Sequence, residues 1–132
     1  MEGGQTNEFR PLILVAEDDD SNFKLIKAII GKKCDIQWAK NGEEIVALFK
    51  EYGNEAKAIL MDIKMPVMNG LDATKIIRGE NKEIPIIMQT AYAFSSDKEN
   101  AMNAGASEVL VKPITLSILR NTLTKHFPEL VW

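Results

Sequence analysis

The stretch LILVAEDDD, Leu12 to Asp20, decides the fold. Its apolar half has no polar alternation, which reads as a strand buried on both faces in a parallel sheet between helix layers. The strand then stops at four consecutive acids. One carboxylate after a strand is ordinary, since Asp, Asn and Ser cap the helix that follows. Four adjacent carboxylates repel one another, and a fold tolerates them only where a positive charge or solvent offsets the repulsion. Asp19 and Asp20 are expected to cap or to face solvent, with Asp20 or Ser21 at the helix start. Glu17 and Asp18, directly behind the apolar run, are expected in a packed position.

Outward from this stretch, four more runs read as strands: CDIQWA (34–39), AILMD (58–62), IPIIMQT (84–90) and EVLVK (108–112). CDIQWA alternates and is placed at an edge. Helical patterns lie between the runs. Leu25, Ile26, Ile29 and Ile30 share one face of SNFKLIKAIIGKK, which Gly31 ends. Ile45, Leu48, Phe49 and Tyr52 share one face of NGEEIVALFKEYG, and Leu71, Ala73, Ile76 and Ile77 one face of NGLDATKIIRG. SSDKENAMNAG is polar and short, the weakest helix. TLSILRNTLTKHF closes the chain, capped by Thr115 and with Leu116, Leu119 and Leu123 in register. A β-α unit repeated five times, with short connections, requires right-handed crossovers and a doubly wound α/β sheet in three layers.

The totals set limits. A length of 132 residues suits one core, and 45% hydrophobic with 27% charged residues is ordinary for a soluble globular domain. A net charge of −3 speaks against nucleic acid or an anionic membrane as partner. One cysteine, Cys34, rules out an internal disulfide and suits a reducing cytoplasm. There is no apolar run of membrane-spanning length and no signal-peptide pattern, so a cytoplasmic location without membrane contact is expected. Residues 1–10 read as a disordered leader or linker, 11–128 as the single domain, and 129–132 as a tail ending in a disordered Trp132. Trp38 is expected to pack near the edge strand, and His126 to compensate the end of the last helix.

In open α/β sheets, ligands bind outside the carboxyl ends of the strands. Glu17 and Asp18 follow the first strand, Asp62 ends the third, Thr90 the fourth and Lys112 the fifth. Clustered carboxylates are what Mg²⁺ selects, and the ion offsets their repulsion. A carboxylate beside such an ion can act as a nucleophile toward phosphorus and form an aspartyl-phosphate. A lysine opposite the metal stabilises the charge of phosphoryl transfer, and a hydroxyl can donate to a phosphoryl oxygen.

ILVAEDD, ILMDIKMPVMNG, IIMQTA and VKPI occur in this order, and together they resemble a receiver domain of two-component signalling, the CheY-like or response-regulator family. The resemblance covers roughly Pro11 to Phe127. It implies a flavodoxin-like (βα)5 fold with strand order 2-1-3-4-5 and Asp62 as phosphoacceptor from a histidine kinase or histidine phosphotransfer domain. It further implies Glu17, Asp18, Asp62 and the backbone carbonyl of Lys64 as ligands of Mg²⁺ (or Mn²⁺), with Thr90 and Lys112 contacting the phosphoryl group. A cis Lys112–Pro113 peptide and an output surface on the fourth helix, fifth strand and fifth helix follow by the same analogy. Met65–Pro66 and Asn69–Gly70 would shape the loop after Asp62, with Gly70 permitting a turn.

One departure stands out: the aromatic residue that the family usually carries three positions before the lysine is Val109 here. Tyr92 is a candidate aromatic reporter in its place. LVAEDDDSN and TAYA resemble receivers fused to hybrid sensor kinases, so the chain is expected to be excised from such a kinase. A free-standing single-domain regulator and a phosphorylation-independent docking module are the alternatives. An aspartyl-phosphate phosphatase would need a second Asp where Lys64 stands, and a flavin carrier a hydroxyl-rich loop where EDDDSN stands.

Overall fold

The computed structural model describes residues 9–91 and 95–132. Strands and helices alternate strictly: β1 (Leu12–Ala16), α1 (Asp20–Ile30), β2 (Asp35–Ala39), α2 (Gly42–Tyr52), β3 (Ala56–Asp62), α3 (Gly70–Glu80), β4 (Ile86–Thr90), α4 (Ser95–Ala104), β5 (Glu108–Val111) and α5 (Leu116–His126). All neighbouring pairs are parallel and the order is β2-β1-β3-β4-β5, so β2 is at an edge as expected. β3 begins two residues earlier than the apolar run, and β5 ends at Val111, one residue before Lys112.

Side-chain alternation divides the core into two layers. Leu14, Ala16, Ile59, Met61, Ile86 and Met88 face α2, α3 and α4, where Ile45, Phe49, Ala73, Ile77 and Ala101 meet them. Ile13, Val15, Ala58, Leu60 and Ile87 face α1 and α5, where Phe23, Ile26, Ile30, Leu119 and Leu123 meet them. Three residues expected inside are not: Leu25, Ile76 and Leu116 are 49%, 40% and 48% exposed. Each lies at the margin of its helical stripe, where helix spacing holds but no sheet surface reaches it. Phe23, Thr74 and Thr122 are buried instead.

The amino ends of the strands are tied together by charged side chains. Arg10 donates to the carbonyl oxygens of Lys32 and Cys34 and to the Asp35 carboxylate. Phe9 tilts onto Phe127 with centroids 6.1 Å apart. Residues 9 and 10 of the expected leader therefore pack on the domain. Arg78 donates to Gly105 O (2.8 Å), Asn81 O (3.1 Å) and Ser107 Oγ (3.3 Å), joining α3 to the loop before β5. His126 does more than compensate a helix end: its Nε2 lies 2.7 Å from Glu108 Oε2, while Lys125 Nζ lies 2.8 Å from Oε1. Trp132 is ordered, with Nε1 donating to Thr124 Oγ1 at 2.9 Å and the Arg120 guanidinium 5.0 Å over its ring. Burial keeps the Cys34 sulfur 2% exposed and pushes its thiol up to about 11. Among the described residues no helix is long and apolar enough to cross a membrane.

Candidate functional site

The four acids after β1 have separate fates. Asp19 is the N-cap of α1, its carboxylate accepting from the backbone N–H groups of Ser21 (2.8 Å) and Asn22 (3.4 Å). Asp20 opens the helix, faces solvent and pairs with Lys40 at 3.4 Å. Glu17 is fully buried and Asp18 is exposed beside it. Carboxylate oxygens of Glu17, Asp18 and Asp62 lie within 4.8 Å of one another. Asp62 ends β3 and is 6% exposed. Lys112 reaches over from the residue after β5, its Nζ 3.0 Å from Asp62 Oδ2 and 3.5 Å from Glu17 Oε1. The Lys112–Pro113 peptide is cis, as anticipated.

The electrostatics are unbalanced. Burial and the neighbouring Asp62 charge raise the Glu17 carboxyl to about 7. Burial alone would lower the Lys112 ammonium, but the hydrogen bond and charge of Asp62 outweigh it and hold the group above its ordinary value. Glu17 Oε2 accepts from Asp19 N at 3.2 Å. Glu17 Oε1 is buried without a hydrogen-bond partner among the described residues. The Lys112 ammonium meets this oxygen as a charge at 3.5 Å, but a buried carboxylate oxygen short of a hydrogen bond still costs free energy that added positive charge would offset. Three hard oxygen donors, one short of a hydrogen bond, fit a Mg²⁺-type ion.

The loop after Asp62 follows from close packing. Gly70 does not supply a left-handed turn; a Cβ there would collide with the Asp62 carbonyl oxygen, so glycine lets α3 start against β3. Positive φ falls instead on Val67, at 69°. The Asn69 side chain caps α3 by accepting from Asp72 N at 2.9 Å. Lys64 lies in this loop with its side chain exposed, and it lines a cleft of about 250 Å³ with Glu17, Asp18, Asp62, Thr90 and Lys112. All the residues anticipated for the site therefore line one cleft. Tyr92 lies outside the described residues.

Two residues at the site were not anticipated. The Thr90 hydroxyl is 3.4 Å from Asp97 Oδ2, which connects the end of β4 to α4. The Trp38 indole donates to the Glu17 carbonyl oxygen at 2.8 Å. Neither contact has a sequence signature: the first depends on how the β4–α4 connection turns, and the second joins residues brought together by the β1–β2 crossover.

Comparison with known proteins decides the family: the response regulator receiver domain matches residues 13–124. The chain belongs to this family. Hybrid signal transduction histidine kinase I of Dictyostelium discoideum is 41% identical over 115 residues, which cover 81% of this receiver and 7% of that kinase. The chain thus spans a small part of that relative's length. Among solved structures, chemotaxis protein CheY4 of Vibrio cholerae is similar at 25% identity, with a TM-score of 0.83 over 90% of this receiver and 100% of that chain. A second similar structure pairs the Saccharomyces cerevisiae histidine phosphotransfer protein Ypd1 with the receiver domain of its downstream response regulator Ssk1. There the TM-score is 0.83 at 28% identity, over 92% of this receiver and 93% of that chain. The fold is the flavodoxin-like one of CheY, and a relative that aligns with most of this receiver is a hybrid signal transduction histidine kinase.

Proposed function

We propose that this receiver accepts a phosphoryl group on Asp62 from a phosphohistidine of a histidine kinase or histidine phosphotransfer domain, within a cytoplasmic hybrid sensor kinase. One observation carries the reading: Asp62, 3.0 Å from Lys112, shares a 4.8 Å cluster with a buried, partly orphaned Glu17.

Glu17, Asp18, Asp62 and the Lys64 carbonyl would hold Mg²⁺ (or Mn²⁺). When bound, the ion supplies positive charge against the acids and against the phosphoryl oxygens. An Asp62 carboxylate oxygen attacks phosphorus. An O–P bond forms as the N–P bond to the donor imidazole breaks, and that bond's electron pair stays on the ring nitrogen. The Lys112 ammonium already contacts the nucleophilic carboxylate, so it meets the developing charge without reorganisation. Thr90 Oγ1 then donates to a phosphoryl oxygen.

Phosphorylation adds about −1.5 to −2 charge units. With Val109 in place of a mobile ring, the Thr90–Asp97 contact offers the route from this charge to α4. Val111, Leu116 and Ile118 are 37%, 48% and 42% exposed on β5 and α5, an apolar surface suited to a downstream partner beside α4.

Incubation with Mg²⁺ and acetyl phosphate, followed by intact-mass measurement, tests the reading. A gain of one phosphoryl group is expected, and both Asp62→Asn and a chelator should abolish it. No gain by a folded, metal-binding chain would favour a docking module, and a gain that survives Asp62→Asn would move the nucleophile elsewhere.

A further inference from the structure

Glu17 and Asp18 are joined by one peptide group just beyond the end of β1. The last register pair between β1 and β2 is Ala16 with Ala39. The Glu17 N–H still finds a strand partner, donating to Ala39 O at 2.9 Å. Its carbonyl has left the ladder, and a buried carbonyl needs a donor from elsewhere. The Trp38 indole supplies it, with Nε1 2.8 Å from Glu17 O.

The indole is itself held in place. Its ring stacks on Phe23 of α1 with centroids 3.9 Å apart and planes 1° from parallel. Lys40 Nζ sits 4.8 Å from the ring centroid and bridges to Asp20 at the start of the same helix. A rigid ring clamped between α1 and Lys40 puts its N–H in one direction only. The peptide is planar, so holding its carbonyl orients the group that joins the two Cα atoms and narrows the arcs through which the Glu17 and Asp18 side chains can swing.

From this geometry we infer that Trp38 is a positioning residue for the cation site: its indole N–H locks the Glu17–Asp18 peptide so that both carboxylates turn toward Asp62. The role goes beyond packing of an edge strand, and it rests on the reading of the acids as a cation site. Two perturbations separate it from general loosening. Trp38→Phe keeps an aromatic ring against Phe23 but removes the donor. Arg78→Met loosens the opposite end of the sheet but leaves the indole, its stack and its donor in place.

Mn²⁺, followed by water-proton relaxation and competed with Mg²⁺, measures affinity without using tryptophan emission. Trp38→Phe should raise the Mn²⁺ dissociation constant about tenfold, as loss of groups that orient metal ligands typically does. Arg78→Met should leave it within about twofold while lowering the metal-free melting temperature. Should Trp38→Phe fail to fold, replacement of the indole by benzothiophene in a Trp132→Phe background removes the N–H with the ring shape kept, and should weaken Mn²⁺ equally. Unchanged affinity without the N–H overturns the inference, as does equal weakening by Arg78→Met. Absence of saturable Mn²⁺ binding by the unaltered chain would overturn the cation site as well, a result distinct from a defect confined to the Trp38 variants.

Discussion

The two ends of the sheet treat charge in opposite ways. At the amino end, Arg10, Arg78 and Glu108 sit in contacts that close on themselves: guanidinium groups on carbonyl oxygens, and a carboxylate between Lys125 and His126. At the carboxyl end, Glu17, Asp18 and Asp62 crowd around the ammonium of Lys112, and one buried Glu17 oxygen has that ammonium at 3.5 Å but no hydrogen bond among the described residues. The difference teaches where stability and function reside. Changes at the closed end should cost folding free energy and spare the chemistry. Changes at the open end should cost the chemistry and can raise metal-free stability, as expected where a site stores strain.

Glu17→Gln tests this most severely. Burial penalises the ionised Glu17, which holds its folded pKa near 7 against an ordinary 4.5. For an acid shifted upward, the favourable contribution is present below the unfolded value and is lost as pH rises through the folded one. In chelator, the unaltered chain should therefore lose on the order of 3 kcal/mol relative to Glu17→Gln between pH 4.5 and 7. Denaturant unfolding across that range measures the difference, and saturating Mg²⁺ should reverse its sign. Equal stability of the two proteins at neutral pH would mean that the open end carries no strain.

Arg78→Met should come next, costing about 2–3 kcal/mol because Gly105 O, Asn81 O and Ser107 Oγ lose their donor together. A shifted urea midpoint with undiminished phosphoryl uptake from acetyl phosphate is the expected pair of results; reduced uptake would couple the two ends. Glu108→Gln should be smallest, about 1 kcal/mol at neutral pH. Burial alone would raise the Glu108 carboxyl, but its bonds to Lys125 and His126 outweigh it and hold the group below its ordinary value. A carboxylate lowered in this way stabilises above its unfolded pKa and stops doing so as pH falls through the folded one. The difference between the unaltered chain and Glu108→Gln should therefore shrink in acid, which paired unfolding curves at neutral and acid pH will show.

Strands β1, β3 and β4 were readable because residues buried on both faces leave uninterrupted apolar runs, and the residues singled out at their carboxyl ends line one cleft. Thr115 caps its helix as expected, through a bond to a nearby N–H that sequence spacing exposes; Asn41 and Asn69, not expected as caps, do the same for theirs. Contacts made by long side chains across the fold were not readable. Nothing around Arg78 announces Gly105, and nothing around Trp38 announces the Glu17 carbonyl. Leu25, Ile76 and Leu116 show the complementary failure, since periodicity finds the apolar stripe of a helix but not its width. Trp132 read as a loose end because a terminal residue has no pattern; its partners, Thr124 and Arg120, are half-buried residues of α5.

Cys34 gives the receiver an internal clock. It is the one thiol in the sequence, so any labelling is stoichiometrically simple. Its burial and its pKa near 11 leave almost no thiolate at neutral pH in the folded chain. A disulfide reagent can then react only when the β2 edge opens, and the rate of colour development counts those openings. Any tightening that phosphorylation brings at one end of the sheet would thereby be read, with no engineered label, as slower chemistry at the other.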